Sequence, residues 1–239
     1  MNDIQQLLTD ELDKASIKLS EHTLHQLFQF IDFLLDANQS VNLTAITDRK
    51  EALFKHIFDS LVIFNRPEYL DARRIIDIGS GAGIPGIPLA ICSPEKQFIS
   101  LDSVQKKIKF QEQFCKQLCI HNINPVWSRA EDFITSAKEQ EGFDLAIARA
   151  VAPLNILAEL TLPFVSIHGY AIFYKGKDYH NELDEAEKAI RILGGSFMDC
   201  LTTELPFCYG FRSIVIIKKI HPTPKGYPRK AGIPQKKPL

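Results

Sequence analysis

Apolar positions recur at helical spacing in the first seventy residues. Leu24, Leu27, Phe28, Ile31, Leu34 and Leu35 fall on one face of a helix, and Ser20 stands where an N-cap hydroxyl would open it. A second helix is expected from Asp48, three residues before Glu51, along "DRKEALFKHIFDSLVIF". The polar, turn-prone "NQSVNLTAI" separates the two. No strand signal interrupts this region, so residues 1–70 are expected to form an N-terminal helical cap.

From Arg74 the period changes. Short β-branched or apolar runs follow one another: "RIIDIG", "QFISLD", "PVWSRA", "FDLAIARA", "YAIFYKG", "SFMDCLTT" and "RSIVIIKKI". Amphipathic pieces such as "VQKKIKFQEQFCKQL" and "NELDEAEKAIRIL" lie between them. Strands alternating with helices predict an α/β fold with a doubly wound, mostly parallel sheet over residues 71–220. The last two of the seven runs are candidates for an antiparallel pair. Residues 221–239, "HPTPKGYPRKAGIPQKKPL", hold five prolines and two glycines and predict an extended arm, neither helix nor strand.

Composition narrows this picture. A chain of 239 residues with 45% apolar side chains has room for one large α/β domain and a small accessory unit. No apolar run approaches the roughly 18 residues of a membrane span, and "MNDIQQLLTDELDK" is too polar for a signal peptide, so a cytoplasmic protein is expected. Five scattered cysteines form no C-x-x-C pair; Cys115 and Cys119, one helical turn apart, lack neighbours to complete a metal site and read as buried reduced thiols. The net charge of -1 conceals an asymmetry: seven basic and no acidic residues follow Ile217, leaving an acidic body with a cationic tail. Such a tail is either a phosphate-binding element or a solvated terminus.

The candidate chemistry lies in "RIIDIGSGAGIPGIPLAI" (74–91). A glycine-rich turn after a first strand lets backbone approach a ligand at the carboxyl edge of a sheet. Gly81, Gly83 and Gly86 satisfy G-x-G-x-x-G, and Asp102 ends the second strand where it could hold ribose hydroxyls, as in dinucleotide sites. The alternative ligand is S-adenosylmethionine, for which Gly79, Gly81 and Gly83 follow Asp77 directly. A carboxylate there suits a sulfonium and an ammonium, whereas Pro85 and Pro88 remove amide donors that a diphosphate would use. Later strand ends add Ala130 and Glu131 near where an adenine would lie, and Arg149 in the presumed cleft. A nicotinamide-dependent oxidoreductase, or an RNA-binding protein with a vestigial pocket, stand as rival readings.

Taken in order, "VNLTAI", "HIFDSL", "DIGSGAGIPGIPLAI", "LDSVQKK", "RAED", "RAVAPL", "YKGK" and "GYPRKAGIPQKKPL" resemble the bacterial ribosomal small-subunit methyltransferase G family, also called glucose-inhibited division protein B. The resemblance spans nearly the whole chain. It implies a seven-stranded Rossmann-like class I methyltransferase fold and methyl transfer from S-adenosylmethionine to guanine N7 in small-subunit ribosomal RNA near the decoding centre. It also implies a cofactor site of Gly79, Ile84, Asp102, Ala130, Glu131 and Arg149, with Gly81 and Gly83 shaping the loop. Many members carry Phe where this chain has Ile84, which keeps the apolar contact and loses any ring stacking.

Guanine N7 has a lone pair and no proton, so its attack on a methyl group needs no general base. Orientation should carry the catalysis, with no metal and no essential acid or base. His56, Asp59 and Ser60 share a helix face and are expected to fasten the cap beside the cofactor loop rather than to form a nucleophilic triad. Ribosomal RNA, naked or in the 30S particle, is expected to be gripped by Lys175, Lys177, Arg212, Arg229 and Lys230, with Tyr227 available for base stacking. No obligate protein partner and no membrane are expected.

Overall fold

Helix α1 (Asp3–Lys14) precedes α2 (Glu21–Val41), which the Ser20 hydroxyl caps by accepting from Thr23 N at 3.1 Å. Asn42, in the left-handed region, ends α2. The Asp48 carboxylate accepts from Glu51 N at 2.7 Å and opens α3 (Arg49–Ala52), which runs through a π-helical turn (Leu53–Phe58) into α4 (Asp59–Leu61). The computed structural model describes residues 3–136, 142–149 and 152–239.

After α5 (Pro67–Leu70) the alternation begins: β1 (Arg74–Ile78), α6 (Gly86–Cys92), β2 (Gln97–Asp102), α7 (Gln105–Gln117), β3 (Ile123–Trp127), α8 (Ala130–Ser136), β4 (Phe143–Arg149) and α9 (Leu154–Thr161). Then come β5 (Val165–Lys175), α10 (Tyr179–Ile192), β6 (Gly195–Glu204), β7 (Phe211–Lys219) and α11 (Ile233–Lys236). The seven strands form one sheet in the order β3-β2-β1-β4-β5-β7-β6. Strands β1 to β5 pair in parallel, and β7 inserts antiparallel between β5 and β6. Strand order reverses at β1 and β4, the place where open α/β sheets leave a crevice beyond their carboxyl ends.

All seven expected strands exist, with altered limits. Strand β5 starts at Val165 because that residue pairs with Phe143 before the register shifts, which draws the polar "SIHG" into the strand. Ala150 and Val151, in the expected fourth strand and the "RAVAPL" motif, lie outside the described residues.

The cap and one sheet face share a hydrophobic core. Leu27, Phe30, Phe54 and Leu61 pack in one cluster with Ile75, Leu145, Ile172 and Ile214. The opposite face buries Ile76, Ala146, Phe173 and Val215 with Leu157 of α9 and Ile190 of α10. Alternation along the strands sends Ile75 and Ile76 to opposite cores, as a period of two requires.

Two expectations need correction. The closing segment is not purely extended: it forms α11 and folds back on the domain, with Pro234 buried. The cations after Ile217 are not all free either, since Lys219, the last residue of β7, is buried and donates to Leu162 O at 2.8 Å and to Thr223 Oγ1. The thiols also differ from each other. Cys115 is buried, and burial pushes it up to about 12, but Cys119 is exposed because the chain leaves α7 there through a positive φ of 52°.

Candidate active site

Between β1 and α6 the glycine loop is fastened by its own amides. Gly79 N and Ser80 N donate to Leu101 O at 2.8 and 3.1 Å, tying the loop to β2. Gly81 N donates to Asp102 Oδ2 at 2.8 Å; its φ of +60° is one that residues with a Cβ rarely adopt. Gly83 N and Ile84 N donate to Ser80 O, and Ile87 N donates to Gly83 O. Gly86 N donates to Asp77 Oδ2 at 2.8 Å, and a Cβ on Gly86 would sit 2.8 Å from that oxygen. Gln111 of α7 seals the arrangement, donating to Ser80 Oγ and Gly81 O and accepting from Ser100 Oγ.

A cavity of about 340 Å³ opens at the ends of β1, β2 and β3. Gly79, Asp102, Ala130 and Glu131 line it, so four of the expected cofactor residues come together. Asp102 is 6% exposed and accepts Val104 N at Oδ1 as well as Gly81 N at Oδ2, leaving further lone pairs on both oxygens. Apolar walls come from Ile78, Ile156 and Leu160, and the cations Lys107 and Arg129 stand at the lining. Ile156 and Leu160 escaped the sequence reading, although their spacing places them one helical turn apart on α9. Gly232, Pro234 and Gln235 of the closing segment also line the cavity.

Gly81, Gly83 and Ile84 are placed differently, behind the lining. The first two set the turn, and Ile84 is buried in the core shared with the cap. The Arg149 guanidinium is engaged elsewhere: Nη1 donates to Asp59 Oδ2 and to Lys55 O, both at 2.8 Å, and Nη2 meets His56 Nδ1 at 3.2 Å. Arg212 Nε reaches both Asp59 oxygens at 2.9 Å. A fully buried carboxylate from the cap thus joins two guanidiniums, one from β4 and one from β7.

His56 belongs to the same cluster. Burial, then the Arg149 charge, lowers its pKa to about 3, so the ring is neutral. An arginine can only donate, so Nδ1 accepts and the proton sits on Nε2, 3.0 Å from Thr44 Oγ1. Ser60 Oγ donates to His56 O, and Tyr174 OH of β5 donates to Ser60 O at 2.8 Å. The three residues fasten cap to sheet, and no nucleophile–base pair is present among them.

Asp77 is buried as well. Burial pushes it up to about 7, against the Gly86 amide and the Arg149 charge, which pull it down. Its Oδ1 is buried without a hydrogen-bond partner. Three of the five cations expected to grip RNA carry internal pairs: Lys175 with Glu182 at 2.5 Å, Arg212 with Asp59, and Arg229 with Glu159 at 2.5 Å. Lys177 and Lys230 are exposed. Among the described residues no group of three or more His, Cys, Asp or Glu is arranged to hold a metal ion, and no helix is long and apolar enough to cross a membrane.

The sheet order, with a cavity at the β1–β3 ends and acids closing β2 and opening α8, is that of the class I methyltransferase fold. Two solved structures share the fold: Methanococcus jannaschii TYW2 in complex with AdoMet (TM-score 0.50, 14% identity, 66% of this chain and 74% of that one) and the fibrillarin pre-rRNA processing protein of the same organism (0.50, 18%, 62% and 67%). The family model for rRNA small subunit methyltransferase G matches residues 23–205. Relatives bearing the name Ribosomal RNA small subunit methyltransferase G include those of Alkaliphilus oremlandii, 40% identical over 99% of each chain, and Moorella thermoacetica, 42% identical over 100% of each. The chain belongs to the rRNA small subunit methyltransferase G family.

Proposed function

We propose that this protein transfers a methyl group from S-adenosylmethionine to N7 of a guanine in small-subunit ribosomal RNA. The observation that carries the choice of cofactor is the state of the loop amides. Those of Gly79, Ser80, Gly81, Gly83, Ile84, Gly86 and Ile87 all donate to acceptors within the protein. A diphosphate needs a nest of uncommitted N–H groups, and this loop offers it few. Asp77, whose Oδ1 is buried without a hydrogen-bond partner, shapes the loop through Gly86 N and does not itself line the cavity. Neither the oxidoreductase nor the vestigial-pocket reading gains support from these features.

Asp102 would hold the ribose hydroxyls with the lone pairs that Gly81 and Val104 leave free. Ala130 and Glu131 would meet the adenine, between the apolar Ile156 and Leu160 on one wall and the loop backbone at Gly79 on another. The bound sulfonium supplies an electrophilic methyl group. The chain's own part is to exclude water and to hold N7 in line, since no proton leaves N7 as the bond forms. The clamped, neutral His56 fits this account, for it has no free nitrogen to serve as a base.

RNA would approach along the edge where β5 ends and β7 begins. Lys177 is exposed there, 5.9 Å over the Phe211 ring, and Lys50 lies 4.1 Å over Phe207, which is 44% exposed. Exposed lysines give phosphate contacts and aromatic faces give base stacking. Calorimetric titration of the protein with S-adenosylmethionine and with a nicotinamide dinucleotide tests the cofactor assignment. Binding of the first alone is expected, and binding of the second alone would overturn it.

A further inference from the structure

The closing segment is rich in proline and lysine, yet it is anchored at a buried point. Glu159 of α9 is 1% exposed. Its Oε1 accepts Arg229 N at 2.8 Å and Arg229 Nε at 2.9 Å, and its Oε2 accepts Arg229 Nη2 at 2.5 Å. Such a two-pronged guanidinium–carboxylate contact fixes direction as well as position. Tyr227 and Leu239, at either end of the anchored stretch, pack against the core on the α9 side of the sheet.

What the anchor holds is a wall of the cavity. Past Arg229 the chain turns at Gly232, with a φ of +81°, and Gly232 N donates to Glu131 Oε1 at 3.2 Å. Gly232, the buried Pro234 and Gln235 then line the cavity beside Glu131. Helix α9 serves both parts, since Ile156 and Leu160 line the cavity while Glu159 between them grips the arm.

We propose that the segment 229–235 is a cofactor-binding element, which closes the adenine side of the cavity and orients the Glu131 carboxylate, with Arg229 and Glu159 as its positioning residues. This rests on the reading that the cavity takes S-adenosylmethionine. With Oε1 accepting from the Gly232 amide, the carboxylate is oriented so that Oε2 stays fully open to an exocyclic amine. The same arm carries exposed Lys225, Lys230, Lys236 and Lys237, so RNA contact and cofactor contact sit on one segment. Deleting the arm would therefore remove both, and only point substitution separates them.

The test uses the full chain. Arg229→Met should weaken S-adenosylmethionine binding in calorimetry by about tenfold or more, because the arm then orders only on binding. It should raise KM for the cofactor and leave kcat at saturating cofactor within about twofold. Arg229→Lys, which keeps the charge but not the fork, should fall between. In the unaltered protein, adding S-adenosylmethionine should slow amide exchange across 227–239. Affinity of Arg229→Met within twofold of the unaltered protein would overturn the proposal, and so would arm exchange that S-adenosylmethionine leaves unchanged. If that variant does not fold, the exchange measurement decides alone. An unaltered protein that binds no S-adenosylmethionine would remove the reading of the cavity itself, a separate failure.

Discussion

The amide of Gly81 donates to the carboxylate of Asp102 at 2.8 Å, joining the loop after β1 to the end of β2. One acid therefore shapes the loop and borders the cavity. Asp102→Asn can present its carbonyl oxygen to Gly81 or to Val104, while its NH2 opposes the other amide. Cofactor affinity should fall by about 10- to 100-fold, as expected for losing charge-assisted bonds in a buried site. Calorimetry of the variant checks this, and cofactor affinity equal to that of the unaltered protein would contradict it.

Asp59 is fully buried between Arg149 and Arg212. Asp59→Ala leaves two guanidiniums facing each other without a counter-charge. Both retain some contact with water, so the loss should be about 3 kcal/mol, toward the lower end for a broken buried pair. Urea denaturation measures it, and a midpoint unchanged by the substitution would show the cluster to be dispensable.

The two buried titrating groups pull stability in opposite directions with pH. Asp77 stands at about 7 when folded and about 3.9 when unfolded, so between these values the folded chain holds a proton that the unfolded chain has lost. Its contribution therefore falls as pH rises. His56, at about 3 when folded and about 6.5 when unfolded, contributes stability present above the unfolded pKa and lost as pH falls toward 3. Asp77→Asn keeps an acceptor for Gly86 N and removes the charge. It should gain on the unaltered protein as pH rises from about 4 to about 7, by up to a few kcal/mol, and melting curves across that range follow the difference. A gap between variant and parent that stays constant over the range would contradict the raised Asp77 pKa.

Salt dependence distinguishes free cations from paired ones. Lys177→Gln should weaken RNA binding and reduce the slope of log affinity against log salt by about 0.7 to 0.9 if it meets one phosphate. Lys175→Gln should leave the slope unchanged, because Lys175 is held by Glu182 and Ala152 O. Filter binding at several salt concentrations reads both. Equal effects of the two substitutions would mean that the internal pair opens on RNA.

Local patterns carried most of the fold. The α2 stripe, its Ser20 cap and seven strands with an antiparallel end were legible because each depends on residues close in sequence. The π-helical turn was not. It presents Lys55 O to Arg149, a partner 94 residues away, and no local spacing encodes that. The placement of Arg149 on the cap rather than on the cavity has the same origin, since Asp59 lies 90 residues earlier. For the arm, prolines and lysines signalled extension, whereas the lone acid in "LNILAELT" was the sign of its anchor. An acid within an apolar helix needs a partner, and Arg229 supplies it.

The most direct measurement is nucleoside mass spectrometry of small-subunit ribosomal RNA, lacking its N7-methylguanosine, after incubation with this protein and methyl-labelled S-adenosylmethionine. Label is expected in N7-methylguanosine alone. Label on an exocyclic amine or a ring carbon, or no label in the RNA when the cofactor is bound, would contradict it.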